Sequence, residues 1–184
     1  MERRERFFDA LRGRREDSME FTGAGFSIGP VGEEHAEAIL AVYRQCEDFL
    51  ALGPVATASL EMVREDLRHS REMGGQFCGI YLGGELAGVV DFVPDGFEGE
   101  RGAAFLSLLM IAQKHRGGGL GRAVVRAVEA EMLKNPQVCV IRSGVQVNNA
   151  PAIRFWQAMG YGVDGGPELL PDRTVCYSLR KDVK

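Results

Sequence analysis

No apolar run in this 184-residue chain is longer than the ten residues 103–112, and Ser107 interrupts even that one. A bilayer-spanning helix needs about 20 consecutive apolar residues, so no membrane span is expected. Cysteine is sparse as well. Cys46, Cys78, Cys139 and Cys176 stand far apart without a CxxC pair, and His35, His69 and His115 offer no ligand spacing beside them. That pattern argues against a structural metal and for a reduced, cytoplasmic protein. Cys78, Cys139 and Cys176 each fall in an apolar strand-like run, where a free thiol packs as a small hydrophobe. A basic surplus is missing: 22 Lys and Arg against 26 Asp and Glu leave a net charge of −4, which disfavours a nucleic-acid partner. Residues 1–20 lack the apolar stretch of a signal peptide. Their acids (Glu2, Glu5, Asp9, Glu16, Asp17, Glu20) are foreign to a transit peptide.

What is present is the balance of a globular domain, 45% apolar and 26% charged, in a length that suits a single core. A charged arm, 1–25, ends in Thr22-Gly23-Ala24-Gly25, which reads as a linker to a body over 26–184. Apolar spacing then predicts strands over 26–31, 77–82, 86–93, 103–112, 138–145 and 174–179. Helices are predicted from about Glu33 through Tyr43, and over 59–73, 120–133 and 150–159. The unbroken run 103–112 belongs at the centre of a sheet. The fold class is therefore a mixed α/β sheet domain.

Glycine is the compositional outlier, with 24 residues. Their most informative cluster is Arg116-Gly117-Gly118-Gly119-Leu120-Gly121-Arg122, which joins the central strand to a helix N-terminus. Glycines there let backbone N–H groups converge, and the helix's first amides sit at the positive end of its dipole, so an anionic phosphate suits the loop. Arg116 and Arg122 add positive charge and fork donors. A P-loop is excluded, because Arg122 and Ala123 stand where Lys and Ser/Thr are required. The dinucleotide pattern GxGxxG fails too, since its third glycine would be Arg122 or Val124.

The pattern Arg-x-x-Gly-x-Gly over residues 116–121 resembles the pyrophosphate-binding loop of the GNAT superfamily of acetyl-CoA-dependent N-acetyltransferases. A second segment, 147–161, is similar to that family's Asn-x-x-Ala-x-x-x-Tyr-x-x-x-Gly-Phe motif, with Asn149, Ala152, Gly160 and Tyr161 in register. The resemblance covers about residues 26–181. It implies a mainly antiparallel central sheet flanked by helices, with central strands that splay to admit acetyl-CoA. It further implies direct transfer of the acetyl group to a primary amine on a small molecule or peptide. A homodimer is among the assemblies it allows. The alternative is a non-catalytic module that only binds acyl-CoA.

By resemblance, the backbone of Met110, Ile111 and Ala112 would meet the pantetheine amides, the loop Arg116, Gly117, Gly118, Gly119, Leu120, Gly121 and Arg122 would hold the pyrophosphate, and Asn149 would contact the cofactor. Asn149 also suits a helix N-cap before Pro151. Trp156 stands where many relatives carry a thiolate-protonating Tyr, and an indole N–H is no acid at neutral pH. Ser107 stands near the position of an acidic residue on the fourth strand, and Ser is no base unaided. The candidate base is Asp91, a lone carboxylate within Val89-Val90-Asp91-Phe92-Val93, which must be paired or face a cleft. Glu98 and Glu100 are alternates. By the same resemblance, Cys46, Glu47 and Asp48 fall where the family shapes its acceptor pocket, and two acids there would suit a cation. Tyr161 reads as core.

Overall fold

The computed structural model describes residues 20–184 except Ala24, so the charged arm lies almost wholly outside the described residues. The body is one eight-stranded sheet in the order β1-β2-β3-β4-β5-β6-β8-β7. Its strands are β1 (Phe21–Gly23), β2 (Phe26–Pro30), β3 (Gln76–Leu82), β4 (Glu85–Val93), β5 (Ala103–Ile111), β6 (Val140–Gln146), β7 (Gly162–Leu169) and β8 (Val175–Asp182). Every neighbouring pair is antiparallel except β5 and β6. Parallel neighbours need a long crossover, and helix α4 (Leu120–Met132) supplies it.

Two helical layers cover the sheet. On one face α1 (Ala36–Arg44), the short α2 (Glu47–Leu50) and α3 (Leu60–Glu72) bury Ile39, Tyr43, Val63 and Leu67 against Val89 and Met110. On the other, α4 and α5 (Ala150–Ala158) bury Val124, Val128 and Trp156 against Val90, Leu106 and Ile141. The apolar residues of β5 serve both faces, which is why its sequence shows no polar alternation. Ser59 caps α3 by accepting from the Met62 amide at 3.2 Å, which fixes a boundary that the sequence marks only softly. Among the described residues no helix is long and apolar enough to cross a membrane, and no group of three or more His, Cys, Asp or Glu could hold a metal ion.

Two expected segments differ in the structure, and one strand was not expected. Thr22-Gly23 is not part of a plain linker: Phe21–Gly23 forms β1 and pairs with β2. The segment 162–169, too rich in glycine and too polar to read as a strand, forms β7 on β8, because both its faces are largely exposed and no hydrophobic alternation is demanded. Cys139 lies just outside β6 and is exposed, not buried in an apolar run.

Candidate active site

The two central strands part company halfway. β5 and β6 pair from Ala103↔Val140 to Leu106↔Ser143 and no further, although β5 runs on to Ile111 and β6 to Gln146. At the branch point Ser143 Oγ donates to the Leu106 carbonyl at 2.8 Å, taking an acceptor the ladder would otherwise use. Each arm stays anchored on its far side, β5 to β4 through Gly88↔Ile111 and β6 to β8 through Gln146↔Cys176. The gap opens into a slot of about 1120 Å³ that reaches the glycine loop at one end and the α2 corner and β7–β8 hairpin at the other.

Alternation decides which amides line this gap. The Ala112 N–H donates to Ala87 O at 2.9 Å, so Ala112, and Met110 two residues before it, turn their backbone groups toward β4. Leu109 and Ile111 therefore direct theirs into the gap. The Ile111 carbonyl is already engaged, by Arg116 Nε at 2.7 Å and Cys46 Sγ at 3.4 Å. Of the expected trio, Ile111 directs its N–H into the gap while the N–H groups of Met110 and Ala112 face β4, and Leu109 shares the orientation of Ile111. Backbone groups facing such a gap need partners. Gln146 Oε1 and His115 Nε2, also on the slot, are buried without a hydrogen-bond partner among the described residues. These donors and acceptors fit an extended polar chain such as pantetheine.

Beyond the slot, the loop delivers the N-terminus of α4. Gly119 is its N-cap with φ +84°, a left-handed conformation that L side chains avoid, and no side chain among the described residues caps the helix. Its first amides remain free for an anion. Gly117, Leu120, Gly121 and Arg122 line the same slot, with Arg122 exposed. Gly118 is exposed but does not line it.

Arg116 is placed differently from expectation. Its guanidinium pairs with Asp48, donating to Oδ1 at 3.1 Å and Oδ2 at 2.5 Å, and also reaches the Gln45 carbonyl at 3.3 Å. It is a tether between loop, β5 and the α1–α2 corner. That partner holds the Asp48 carboxyl below its ordinary pKa. Asp48→Asn should therefore weaken acetyl-CoA binding by about two- to five-fold, the scale of an exposed ion pair. A tighter complex by calorimetry would mean that Arg116 serves the phosphates instead. Glu47 is occupied as well, accepting from the Ala58 amide at 3.0 Å. Asp48 thus already has a cation in Arg116, and Glu47 does not line the slot.

Asn149 accepts from Ala152 N at 3.1 Å and so caps α5, while also lining the slot. Trp156 is 7% exposed, edge-on to Phe155 and Tyr161 in the core, with only its margin on the slot. The Tyr161 hydroxyl donates to Glu129 at 2.9 Å, and burial, with Glu129 beside it, raises its pKa far above the phenol value. Neither is placed as an acid.

Asp91 is 4% exposed, and both its oxygens are engaged. Ser70 Oγ donates to Oδ1 at 2.6 Å, and Ser107 Oγ donates to Oδ2. A β-bulge creates the second contact. Asp91 pairs with Leu108 and Phe92 with Leu106, leaving Ser107 as the extra residue. Gly75 lets the cluster close: a Cβ there would stand 2.7 Å from Ser70 Oγ and 3.1 Å from Asp91 Oδ1. Asp91 lines a second cavity of about 580 Å³, with Asp66, His69 and Glu98. Of the alternates, Glu98 lies where the two cavities meet, and Glu100 is bound to Arg142 at 2.9 Å.

Next to this cluster, Tyr43 donates to Asp66 at 2.6 Å. Burial raises the Asp66 pKa against the opposing Tyr43 bond, with the Asp91 charge adding to the rise. A carboxyl whose folded pKa exceeds its unfolded one loses stability as pH climbs between the two. Asp66→Asn keeps an acceptor for Tyr43, so it should raise Tm at pH 7. The difference should vanish below the unfolded pKa of about 4, in thermal melts across pH.

Residues 37–161 match the family model described as the Acetyltransferase (GNAT) family. No curated protein sequence matches the chain. Among solved structures it is similar to an acetyltransferase from Thermus thermophilus, with TM-score 0.71 and 27% identity over 90% of this chain and 100% of that one. The ribosomal-protein-alanine N-acetyltransferase from Brucella melitensis gives TM-score 0.64 and 22% identity over 85% and 99%. The enzyme AAC(6')-Ib, in complex with ribostamycin and coenzyme A, gives TM-score 0.68 and 21% identity over 86% and 94%. Likeness to the last two shows a shared fold.

Proposed function

The chain belongs to the GNAT acetyltransferase family, and from that premise we propose that it transfers the acetyl group of acetyl-CoA directly to a primary amine. The observation that carries this reading is the fork between β5 and β6, with the Leu109 and Ile111 amides facing a slot that runs to the N-terminus of α4. Acetyl-CoA supplies the acyl group as an activated thioester. The Leu109 N–H, two residues from Ser107 and further from the α4 N-terminus, is the donor suited to negative charge growing on the carbonyl oxygen. Ile111, nearer the glycine loop, offers its N–H to the amide chain between thioester and pyrophosphate. The free amides opening α4, with Arg122, suit the pyrophosphate.

Direct transfer is favoured over a covalent acyl-enzyme by the cysteines. Cys46 is buried, bonded to the Ile111 carbonyl, and burial raises its thiol pKa; burial raises that of Cys176 too. Neither is an activated nucleophile. The acceptor enters from the α1–α3 face, where Ser107 and Glu98 stand.

The test is mass-spectrometric detection of acetylated products after incubation with acetyl-CoA and a mixed set of amino acids, polyamines, aminoglycosides and short peptides. An acetylated amine above the uncatalysed background is the expected result. Acetyl-CoA binding without any product would favour the non-catalytic binding module.

A further inference from the structure

Asp91 does not itself line the main slot. It lines only the second cavity, and its two oxygens are taken by Ser70 and Ser107. Ser107 lines both cavities. Its hydroxyl hydrogen points at Asp91, which leaves its lone pairs as the acceptor facing the slot. The bulge that singles out Ser107 therefore places a hydroxyl between the strand fork and a buried carboxylate.

We propose that Ser107 is the catalytic residue that receives the proton of the attacking amine and that it does so as a relay to Asp91. The proposal rests on the acetyl-transfer reading. An alkylammonium first gives one proton to solvent. The neutral nitrogen then attacks the thioester carbonyl, and its remaining protons become acidic as the C–N bond forms. One passes to Ser107 Oγ while the Ser107 proton passes to Asp91 Oδ2. The C–S bond breaks with its electron pair on sulfur, and that sulfur takes a proton from water. Asp91 returns its proton to water through the second cavity, which opens past the exposed His69. The sum is ammonium plus thioester giving amide, thiol and one released proton. Ser70, bonded to the other Asp91 oxygen and itself 1% exposed, is a positioning residue that aims the carboxylate.

This arrangement resolves two difficulties in the sequence. Ser is no base alone, and Asp91 is a buried carboxyl with no cation paired to it among the described residues. Joined, the hydroxyls satisfy the carboxylate, and the carboxylate makes the hydroxyl a proton acceptor.

The test uses the full chain and an amine that the wild type acetylates. Ser107→Ala should lower kcat by about 100-fold or more, leaving the KM for acetyl-CoA and its calorimetric Kd unchanged. Ser107→Thr, which keeps a hydroxyl, should recover most of that loss. Asp91→Asn should match Ser107→Ala, and the double variant should be no slower than either, as groups acting in one unit require. Wild-type kcat in Ser107→Ala, or losses that multiply in the double variant, would overturn the relay. Should Asp91→Asn fail to fold, the Ala and Thr variants at Ser107 still decide the matter. A wild type that acetylates no amine would instead sink the acetyl-transfer reading itself, and the relay with it.

Discussion

Gly119→Asp should abolish detectable acetyl-CoA binding, an affinity loss of about 100-fold or more. Three effects combine. The residue sits at φ +84°, where a side chain costs about 1–2 kcal/mol. A carboxylate there competes for the same free amides at the start of α4 that suit a phosphate, and its charge repels the ligand. Nothing lies within 4 Å of a Cβ at this position, so the fold has room for the new side chain. Aspartate is also a favourable residue at the start of a helix. Gly119→Ala separates the contributions, since it carries the strain without the charge and should weaken binding far less. Calorimetric titration of both variants, with thermal melts showing an intact fold, checks the point. Undiminished affinity in Gly119→Asp would mean that the loop does not hold the ligand.

The second large effect concerns stability. Glu129 on α4 is 8% exposed and receives Lys181 Nζ of β8 at 2.9 and 2.7 Å and the Tyr161 hydroxyl at 2.9 Å. The Lys181 ammonium also lies 5.4 Å from the centre of the Tyr161 ring. This cluster ties α4, the turn after α5 and β8 together behind the slot. Lys181→Met keeps the aliphatic stem and removes the charge, leaving a buried carboxylate with one neutral donor. Removing one partner of a buried pair costs about 3–5 kcal/mol, more than the intact pair contributes. A loss of about 3 kcal/mol in urea unfolding at pH 7 is expected. The double variant Lys181→Met with Glu129→Met should recover most of it, because no charge is then left stranded. An unchanged midpoint in Lys181→Met would show that water already solvates Glu129.

Much of this was legible in the residues, and the misses have identifiable causes. The strand–glycine loop–helix unit over 103–132 was readable because its period, its length and its glycines agree. The Asn149 cap was readable from the Pro two residues after it. Asp91 stood out because a charge in an apolar strand needs an explanation. What it touches could not be read: Ser70 lies 21 residues away on α3, and Ser107 is brought opposite by a bulge that leaves no mark in the hydrophobic pattern. The choice among Met110, Ile111 and Ala112 turned on which backbone groups β4 uses, and only the register decides that. Leu109 shares the orientation of Ile111 by the two-residue period of a strand. Arg116 lines the slot beside the glycine loop, but its pairing with Asp48, 68 residues distant, leaves no mark in the local sequence. β7 escaped because a strand exposed on both faces carries no alternation to read.

The central claim is that the gap between β5 and β6 receives acetyl-CoA through particular amides. An NMR titration of the ¹⁵N-labelled protein with acetyl-CoA tests it most directly. Large shifts are expected at the amides of Leu109, Ile111, Leu120 and Gly121, with those of Met110 and Ala112 moving least because β4 already holds them. Shifts confined to other surfaces, or larger at Met110 and Ala112 than at Leu109 and Ile111, would contradict it.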